Sequence, residues 1–240
     1  MVTWQMLPSG LETEVTFEVE DSDVWTIFQK NSIGIKWQSE LSIQHESKVL
    51  KSCERSKRRR HLSLPETYYA INNCILPYDH SLEELWKKFE SSSATFARNL
   101  AVYHHFRHLG WILKSGLNYG AHYVLYQGSA ATYHSQYIVY VHDEDKAISW
   151  NTIQSLTRIA ADVKKTVLLC TATILSKESN SIALDTNPTF GVYSFHDVQY
   201  IVEAVAIRFW DASLADESQS FNFQQLSLSP KRMKSARKKQ

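Results

Sequence analysis

The hydrophobic period changes at Gly110, and this change constrains the fold more than any other feature of the chain. Before this glycine, apolar residues recur every three or four positions, as in the segment 82–89. Beyond it, the segments 111–113, 123–126 and 137–141 show the two-residue period of strands. Ser149 is then expected to start a helix, and the next strand is expected to run from Val163 to Thr171. We therefore expect an α+β protein. A helical or mixed N-terminal region should precede a C-terminal α/β domain whose mixed sheet is flanked by helices.

Composition divides the chain into five ranges. Residues 1–47 are expected to form a small N-terminal domain, and residues 48–61 a basic linker. Residues 62–94 are a helical segment that completes the N-terminal part. Residues 95–212 form the α/β domain, and residues 213–240 a basic disordered tail. The mixed polar composition of the last range lacks the apolar residues that a core requires.

Two segments are strongly basic. The range 48–61 holds seven Lys or Arg residues and His61, and the segment 230–240 holds six Lys or Arg residues. For the first segment, a solvated charge run, contact with RNA and nuclear import all stay open. For the second, the alternatives are an import signal, an RNA-binding tail and a solubilising end.

The distribution of charge is more informative than its sum, because the formal net charge is only +1. Between Glu90 and Asp143 there is no acidic residue, and the same stretch holds six of the ten histidines. One interpretation is a basic face that binds phosphate, and the other is chance clustering.

Cysteine usage and hydropathy indicate the compartment. Cys53, Cys74 and Cys170 are far apart and fit no C-x-x-C spacing, which argues for a reducing compartment. Cys170 lies in an apolar segment and is expected to be a small buried hydrophobe. No apolar run approaches the roughly 18 residues of a membrane span. We expect a soluble intracellular protein.

The central part of the chain carries several short patterns in a fixed order. It reads Y-H-H-F-R-H-L-G-W from Tyr103 and G-L-N-Y-G from Gly116. A strand then ends at Tyr126, H-S-Q-Y begins at His134, and Val163-Lys164-Lys165 follows. In this order and at these spacings, the patterns resemble the C-terminal nuclease domain of the tRNA-intron endonucleases.

The resemblance covers residues 62–210, and within the family the chain is most similar to the subunit that cuts the 5′ splice site. It makes the range 95–212 the catalytic domain of a tRNA-intron lyase, which is one subunit of a heterotetramer acting on intron-containing pre-tRNA. The family cuts RNA without a metal or other cofactor. The 2′-hydroxyl attacks the adjacent phosphorus and leaves a 2′,3′-cyclic phosphate and a 5′-hydroxyl. Nuclear localisation is the expectation, with the cytoplasm or the mitochondrial surface as alternatives.

The resemblance implies three catalytic residues. The tyrosine is Tyr126 rather than Tyr119, because Tyr126 stands eight residues before His134. The lysine is Lys165 rather than Lys164. Imidazole titrates near neutrality and suits proton donation to the leaving oxygen. An ammonium group suits the developing phosphorane charge, and Tyr126 is the general base or orients the 2′-hydroxyl, helped by a nearby cation that favours phenolate.

The resemblance implies that two further residues bind the RNA. Arg158 precedes Lys165 by seven positions, and Trp210 matches an Arg-Trp pattern near the end of the family's domain. Together they would clamp a bulged nucleotide by cation–π stacking. The alternatives are a surface helix charge for Arg158 and a packed aromatic for Trp210.

Other functions fit the sequence less well. Glu144-Asp145-Lys146 spells the E-x-K pattern of metal-dependent nucleases, but residues 91–142 contain no carboxylate to complete a magnesium site. His104 and His108 have the i, i+4 spacing of a zinc pair, yet a solvated helix face is the favoured interpretation. The serious alternative is a non-catalytic scaffold or tRNA-binding subunit of the same complex.

Overall fold

The computed structural model describes residues 2–9, 12–19, 22–36, 58–175, 189–196 and 198–207. The α-helices in these ranges are α1 (Ser22–Lys30), α2 (Leu64–Asn72), α3 (Leu82–Ser92), α4 (Phe96–His108) and α5 (Trp150–Asp162). The strands are β1 (Val2–Ser9), β2 (Glu12–Val19), β3 (Ile35–Lys36), β4 (Arg58–Ser63), β5 (Ile112–Ser115), β6 (Tyr123–Tyr126), β7 (Tyr137–His142), β8 (Thr166–Leu175), β9 (Phe190–Phe195) and β10 (Val198–Ile207).

The chain divides into two compact units, residues 1–103 and residues 104–240, and the division falls within α4. The finer division into the five ranges given above stays a prediction. The mixed α/β architecture is confirmed, because each unit combines a sheet with helices. In the part of the chain that the structure describes, no helix has the length and apolar character needed to cross a bilayer.

The first unit contains an antiparallel four-stranded sheet in the order β1-β2-β4-β3. The expected linker is therefore wrong for residues 58–61, which lie in β4. Arg60 is buried, and its guanidinium donates to the carbonyl oxygens of Ile33 at 2.8 Å and Gly34 at 3.2 Å. Strand pairing therefore holds the backbone of residues 58–61 in the fold, and the two carbonyl acceptors hold the Arg60 side chain. The remainder of the expected linker lies outside the described residues.

Capping and aromatic packing stabilise helices α2 and α3. The Ser63 hydroxyl caps α2 by accepting a hydrogen bond from the Glu66 backbone N–H, which is the usual role of a serine at this position. The rings of Tyr68, Trp86 and Phe96 then meet edge to face with centroids 5.1 to 5.8 Å apart. Such pairs add to the stabilisation from burial itself.

The second unit contains a six-stranded sheet in the order β5-β6-β7-β8-β10-β9. Strands β7 and β8 run parallel, and every other neighbouring pair is antiparallel. A parallel pair needs a crossover, which α5 supplies, and Ser149 caps that helix as the sequence predicts. The predicted mixed sheet is confirmed.

Register places the core of this unit on both faces of the sheet. On one face, Val124, Ile138 and Val167 stand side by side and pack against Leu156 and Ala160 of α5. The other face carries Leu113, Leu125, Val139, Leu168 and Cys170, all buried. The prediction that Cys170 is a buried hydrophobe is confirmed.

In the second sheet, one predicted strand start is wrong and one strand was missed. The strand expected from Val163 begins at Thr166, because residues 163–165 form the turn that ends α5. Strand β9 was not anticipated from the sequence, and it pairs with β10 at the edge of the sheet. Its short segment contains Gly191 and two Ser or Tyr positions rather than a clear apolar alternation.

Candidate active site

The edge where β6 ends and where β7 and β8 begin brings the predicted catalytic residues together. Leu125, Tyr137 and Thr166 are paired across the three strands. Continuing this register by one residue aligns Tyr126, Gln136 and Lys165. Neighbouring strands are about 4.8 Å apart, so the two outer members of this row are separated by roughly 10 Å. The predicted tyrosine and lysine therefore flank the strand that His134 precedes.

Hydrogen bonds of the backbone continue across this edge. The Gln136 N–H donates to the Leu125 carbonyl at 3.0 Å, and the Thr166 N–H donates to the Gln136 carbonyl at 3.2 Å. The side chain of Gln136 also accepts from Gln127 at 3.3 Å. These contacts close the base of the loop that carries His134.

The loop itself is shaped by a turn and a close ring contact. The Ser129 carbonyl accepts from the backbone of Thr132 at 2.9 Å and of Tyr133 at 3.0 Å. A Cβ added at Gly128 would lie 2.6 Å from the Tyr133 ring, so the ring packs where only glycine fits. His134 follows directly and is exposed, as a group that meets a large substrate must be.

Lys165 is held at the site from two directions. Its ammonium donates to the backbone carbonyl of Ser135 at 2.8 Å, and it lies 5.9 Å from the centre of the Tyr119 ring. Burial lowers the pKa of this ammonium from its usual value. The ammonium is thus held beside the residue that follows His134.

Tyr126 and Tyr119 share the face of the sheet that α5 covers. Both rings are half-buried and pack against the cluster formed by Val124, Ile138 and the buried side of α5. Tyr126 therefore lies on the same face as the aromatic ring that contacts Lys165. This contact of Tyr119 was missed in the sequence, where it counted only as the rejected alternative to Tyr126.

The turn before Tyr119 explains why that ring reaches the site. Tyr119 and Ala121 both donate backbone hydrogen bonds to the Gly116 carbonyl, at 2.8 and 3.1 Å. A Cβ at Gly116 would lie 2.8 Å from the Tyr123 backbone nitrogen. Gly120 adopts a left-handed φ of 65°. The G-L-N-Y-G pattern is the signal that marks this turn, although it does not reveal the lysine.

The two residues predicted to grip RNA have different outcomes. Arg158 lies on α5 and is exposed, so its predicted role and the surface-charge alternative both fit its position. Trp210 lies outside the described residues. The clamp stays a prediction.

Of the α4 histidines, His108 is exposed on the solvated face expected of it, whereas His104 is half-buried and His105 is buried. His105 is buried and its Nδ1 lies 2.9 Å from the Tyr193 hydroxyl. The His104 ring contacts the rings of Tyr193 and Phe195, with centroids 4.9 and 5.5 Å away. The His105 imidazole is thus a core group of the second unit, and the His104 ring packs at the edge of that core. Across the described ranges, no three His, Cys, Asp or Glu side chains are grouped as a metal site requires.

The segment that carries this candidate site is similar to a known family of domains. Residues 96–180 match the family described as tRNA intron endonuclease, catalytic C-terminal domain. The chain is 31% identical over 123 residues to tRNA-splicing endonuclease subunit Sen2 of Rattus norvegicus, covering 45% of this chain and 27% of that protein. It is 33% identical over 90 residues to subunit SEN2 of Saccharomyces cerevisiae, covering 38% of this chain and 24% of that protein.

A plant relative matches over a longer stretch. Subunit Sen2-2 of Arabidopsis thaliana is 29% identical over 187 residues, which are 74% of this chain and 71% of that protein. The chain spans about a quarter of the length of the rat and yeast relatives. All three relatives are designated Sen2 subunits of the tRNA-splicing endonuclease.

Proposed function

We propose that this chain is a catalytic subunit of the tRNA intron endonuclease family and that it cleaves pre-tRNA at an intron splice site. The observation that carries the proposal is the shared sheet edge described above. Its register aligns Tyr126 with Lys165, and Lys165 donates to the residue that follows His134, all inside the segment that matches the family's catalytic domain. The similarity to subunits of the tRNA-splicing endonuclease supports this activity, and the 5′ splice site is proposed on the sequence resemblance described above.

The proposed reaction is a transesterification within the RNA. Tyr126 orients the 2′-hydroxyl or accepts its proton, and the 2′-oxygen then forms a bond to the adjacent phosphorus. The bond from phosphorus to the 5′-oxygen breaks, and His134 donates a proton to that oxygen. Lys165 stabilises the charge that builds on the phosphorane. The products are a 2′,3′-cyclic phosphate and a 5′-hydroxyl.

The geometry supports this division of roles. His134 is exposed on a loop, where it can meet a leaving group on a large substrate. Lys165 has one hydrogen bond to Ser135 and a ring beside it, while an ammonium has three donors. Donors therefore remain for a phosphate oxygen. The substrate supplies its own nucleophile, so the mechanism requires no metal ion to generate one.

We propose further that the chain acts within a heterotetramer in the nucleus. The names of its relatives call each a subunit. The basic segment at residues 230–240 is consistent with nuclear import.

The test is cleavage by the assembled enzyme. The chain would be co-expressed with candidate partner subunits and given an intron-containing pre-tRNA in the presence of EDTA. We expect products that end in 2′,3′-cyclic phosphate and 5′-hydroxyl. A pre-tRNA with a single 2′-deoxy nucleotide at the cleavage position is the matched control and should stay uncut at that junction. Strict dependence on magnesium would contradict the mechanism, and cleavage that survives loss of His134 would favour a scaffold role.

A further inference from the structure

The end of α5 has a backbone conformation that disfavours the residue found there. Lys164 has a φ of 54°, in the left-handed region. Its N–H donates to the Ala161 carbonyl at 3.0 Å, and the Lys165 N–H donates to the Ala160 carbonyl at 2.8 Å. These are the two hydrogen bonds of a Schellman motif, whose left-handed position is usually glycine. Residues in such conformations cluster at functional sites.

Lys164 also lines a cavity of about 330 Å³ beside the candidate catalytic residues. The end of α5, the start of β8 and the end of β10 contribute its walls. The lining residues are two lysines, two threonines and three apolar side chains, namely Lys164, Lys165, Thr157, Thr166, Ala160, Ala161 and Ile207. None of these lining residues is acidic. Cationic walls with apolar patches suit a phosphodiester and the sugar attached to it.

We propose that this cavity is an RNA-backbone subsite in which Lys164 binds a phosphate adjacent to the scissile phosphate. The inference rests on the proposed function and extends it, because it assigns Lys164 to a phosphate beside the one at which Lys165 stabilises charge. Lys165 connects the two sites, since it lines the cavity and also donates to Ser135. Consecutive lysines, with Cα atoms about 3.8 Å apart, can serve consecutive phosphates of one strand.

A purely structural role for Lys164 makes different predictions. A cation at the end of a helix is stabilised by the negative end of the helix dipole. If that were its only role, removing the charge would lower stability and leave RNA binding unchanged. Lys164→Gly separates the two roles, because glycine also relieves the left-handed backbone. Lys164→Ala removes the charge and keeps the unfavourable backbone.

The test is binding of RNA by the assembled enzyme as salt is varied. The ligand is an intron-containing pre-tRNA with 2′-deoxy nucleotides at both splice sites, which binds without being cut. We expect both Lys164 variants to weaken binding about 3- to 10-fold and to reduce the slope of log K against log salt by about 0.7 to 0.9, the loss of one phosphate contact. The Tm of Lys164→Gly should equal or exceed that of the wild-type enzyme.

The control is Lys87→Ala, which removes an exposed lysine on α3 and should leave affinity and slope unchanged. An unchanged slope in both Lys164 variants would overturn the subsite, and so would an equal loss in Lys87→Ala. Failure of the proposed function has a separate signature. In that case, the wild-type assembly would not cut the all-ribose pre-tRNA, whatever the binding data show.

Discussion

The side-chain ammonium of Lys165 donates a hydrogen bond to the backbone carbonyl of Ser135 at 2.8 Å. This bond joins the start of β8 to the residue that follows His134, across 30 positions of sequence. Ser135 is buried, so its carbonyl has few other partners from solvent. The bond couples the position of the candidate acid to that of the candidate cation, and a change in either should affect the other.

His134→Ala should abolish cleavage without unfolding the protein. The side chain is exposed, so its loss removes no core packing. Loss of a general acid typically costs about 10²- to 10⁴-fold in rate. Single-turnover cleavage of pre-tRNA by the assembled enzyme measures the effect, and thermal unfolding checks the fold. His80→Ala changes another exposed histidine and should cleave as the wild type does. Wild-type cleavage by His134→Ala would refute the assignment.

Lys165→Met should reduce both activity and stability. Methionine keeps much of the side-chain length but lacks the ammonium, so the rate should fall about 10²- to 10³-fold. The Ser135 carbonyl would lose its charged donor, at a cost of about 1–3 kcal/mol in the free energy of unfolding. Single-turnover kinetics and urea denaturation measure the two effects. A variant with normal rate and reduced stability would show that the lysine is only structural.

Tyr119→Leu should slow cleavage about 3- to 10-fold, whereas Tyr119→Phe should not. Phenylalanine keeps the ring near the Lys165 ammonium, and a contact of this kind contributes about 0.5–2 kcal/mol. Burial already lowers the pKa of Lys165, and loss of the ring should lower that pKa further. The basic limb of the pH–rate profile should therefore move to lower pH in the leucine variant alone. Identical profiles for the two variants would rule out the ring contact.

Stability of the second unit should decline as pH falls below about 6.5. Burial, together with the charge of neighbouring His108, lowers the pKa of His104 to about 4. Burial also lowers the pKa of His122, whose Nδ1 accepts from the Val141 N–H at 3.0 Å. Between these pKa values and the unfolded value of about 6.5, the unfolded chain binds more protons. The stabilisation is complete above that value and is lost as pH falls toward 4.

Denaturant unfolding between pH 7.5 and pH 5 measures this dependence. His122→Gln replaces a titrating acceptor by a neutral one, so the slope of unfolding free energy against pH should become shallower. His80→Gln serves as the control because it changes an exposed histidine. A slope in His122→Gln equal to that of the wild type would remove His122 as a contributor.

Local features of the sequence predicted most elements of the second unit. The helix before Gly110, the capping serine Ser149 and strands β6 and β7 were all expected, because period and caps depend on residues close in sequence. The start of β8 was misplaced because the left-handed Lys164 has no glycine to mark the helix end. Residues 58–61 were assigned to a linker because β4 is recognisable only through its pairing with β2.

By itself, the sequence determined the class of fold, a resemblance to one nuclease family and a predicted set of three catalytic residues ordered along the chain. Tertiary structure decided what those residues contact. The parallel pairing of β7 with β8 sets Lys165 beside Ser135, and the turn at Gly116 carries Tyr119 to the ammonium. Tertiary packing also buries His105 against Tyr193. The physical reason is that strand pairing and burial depend on segments far apart in sequence, which local period and spacing do not encode.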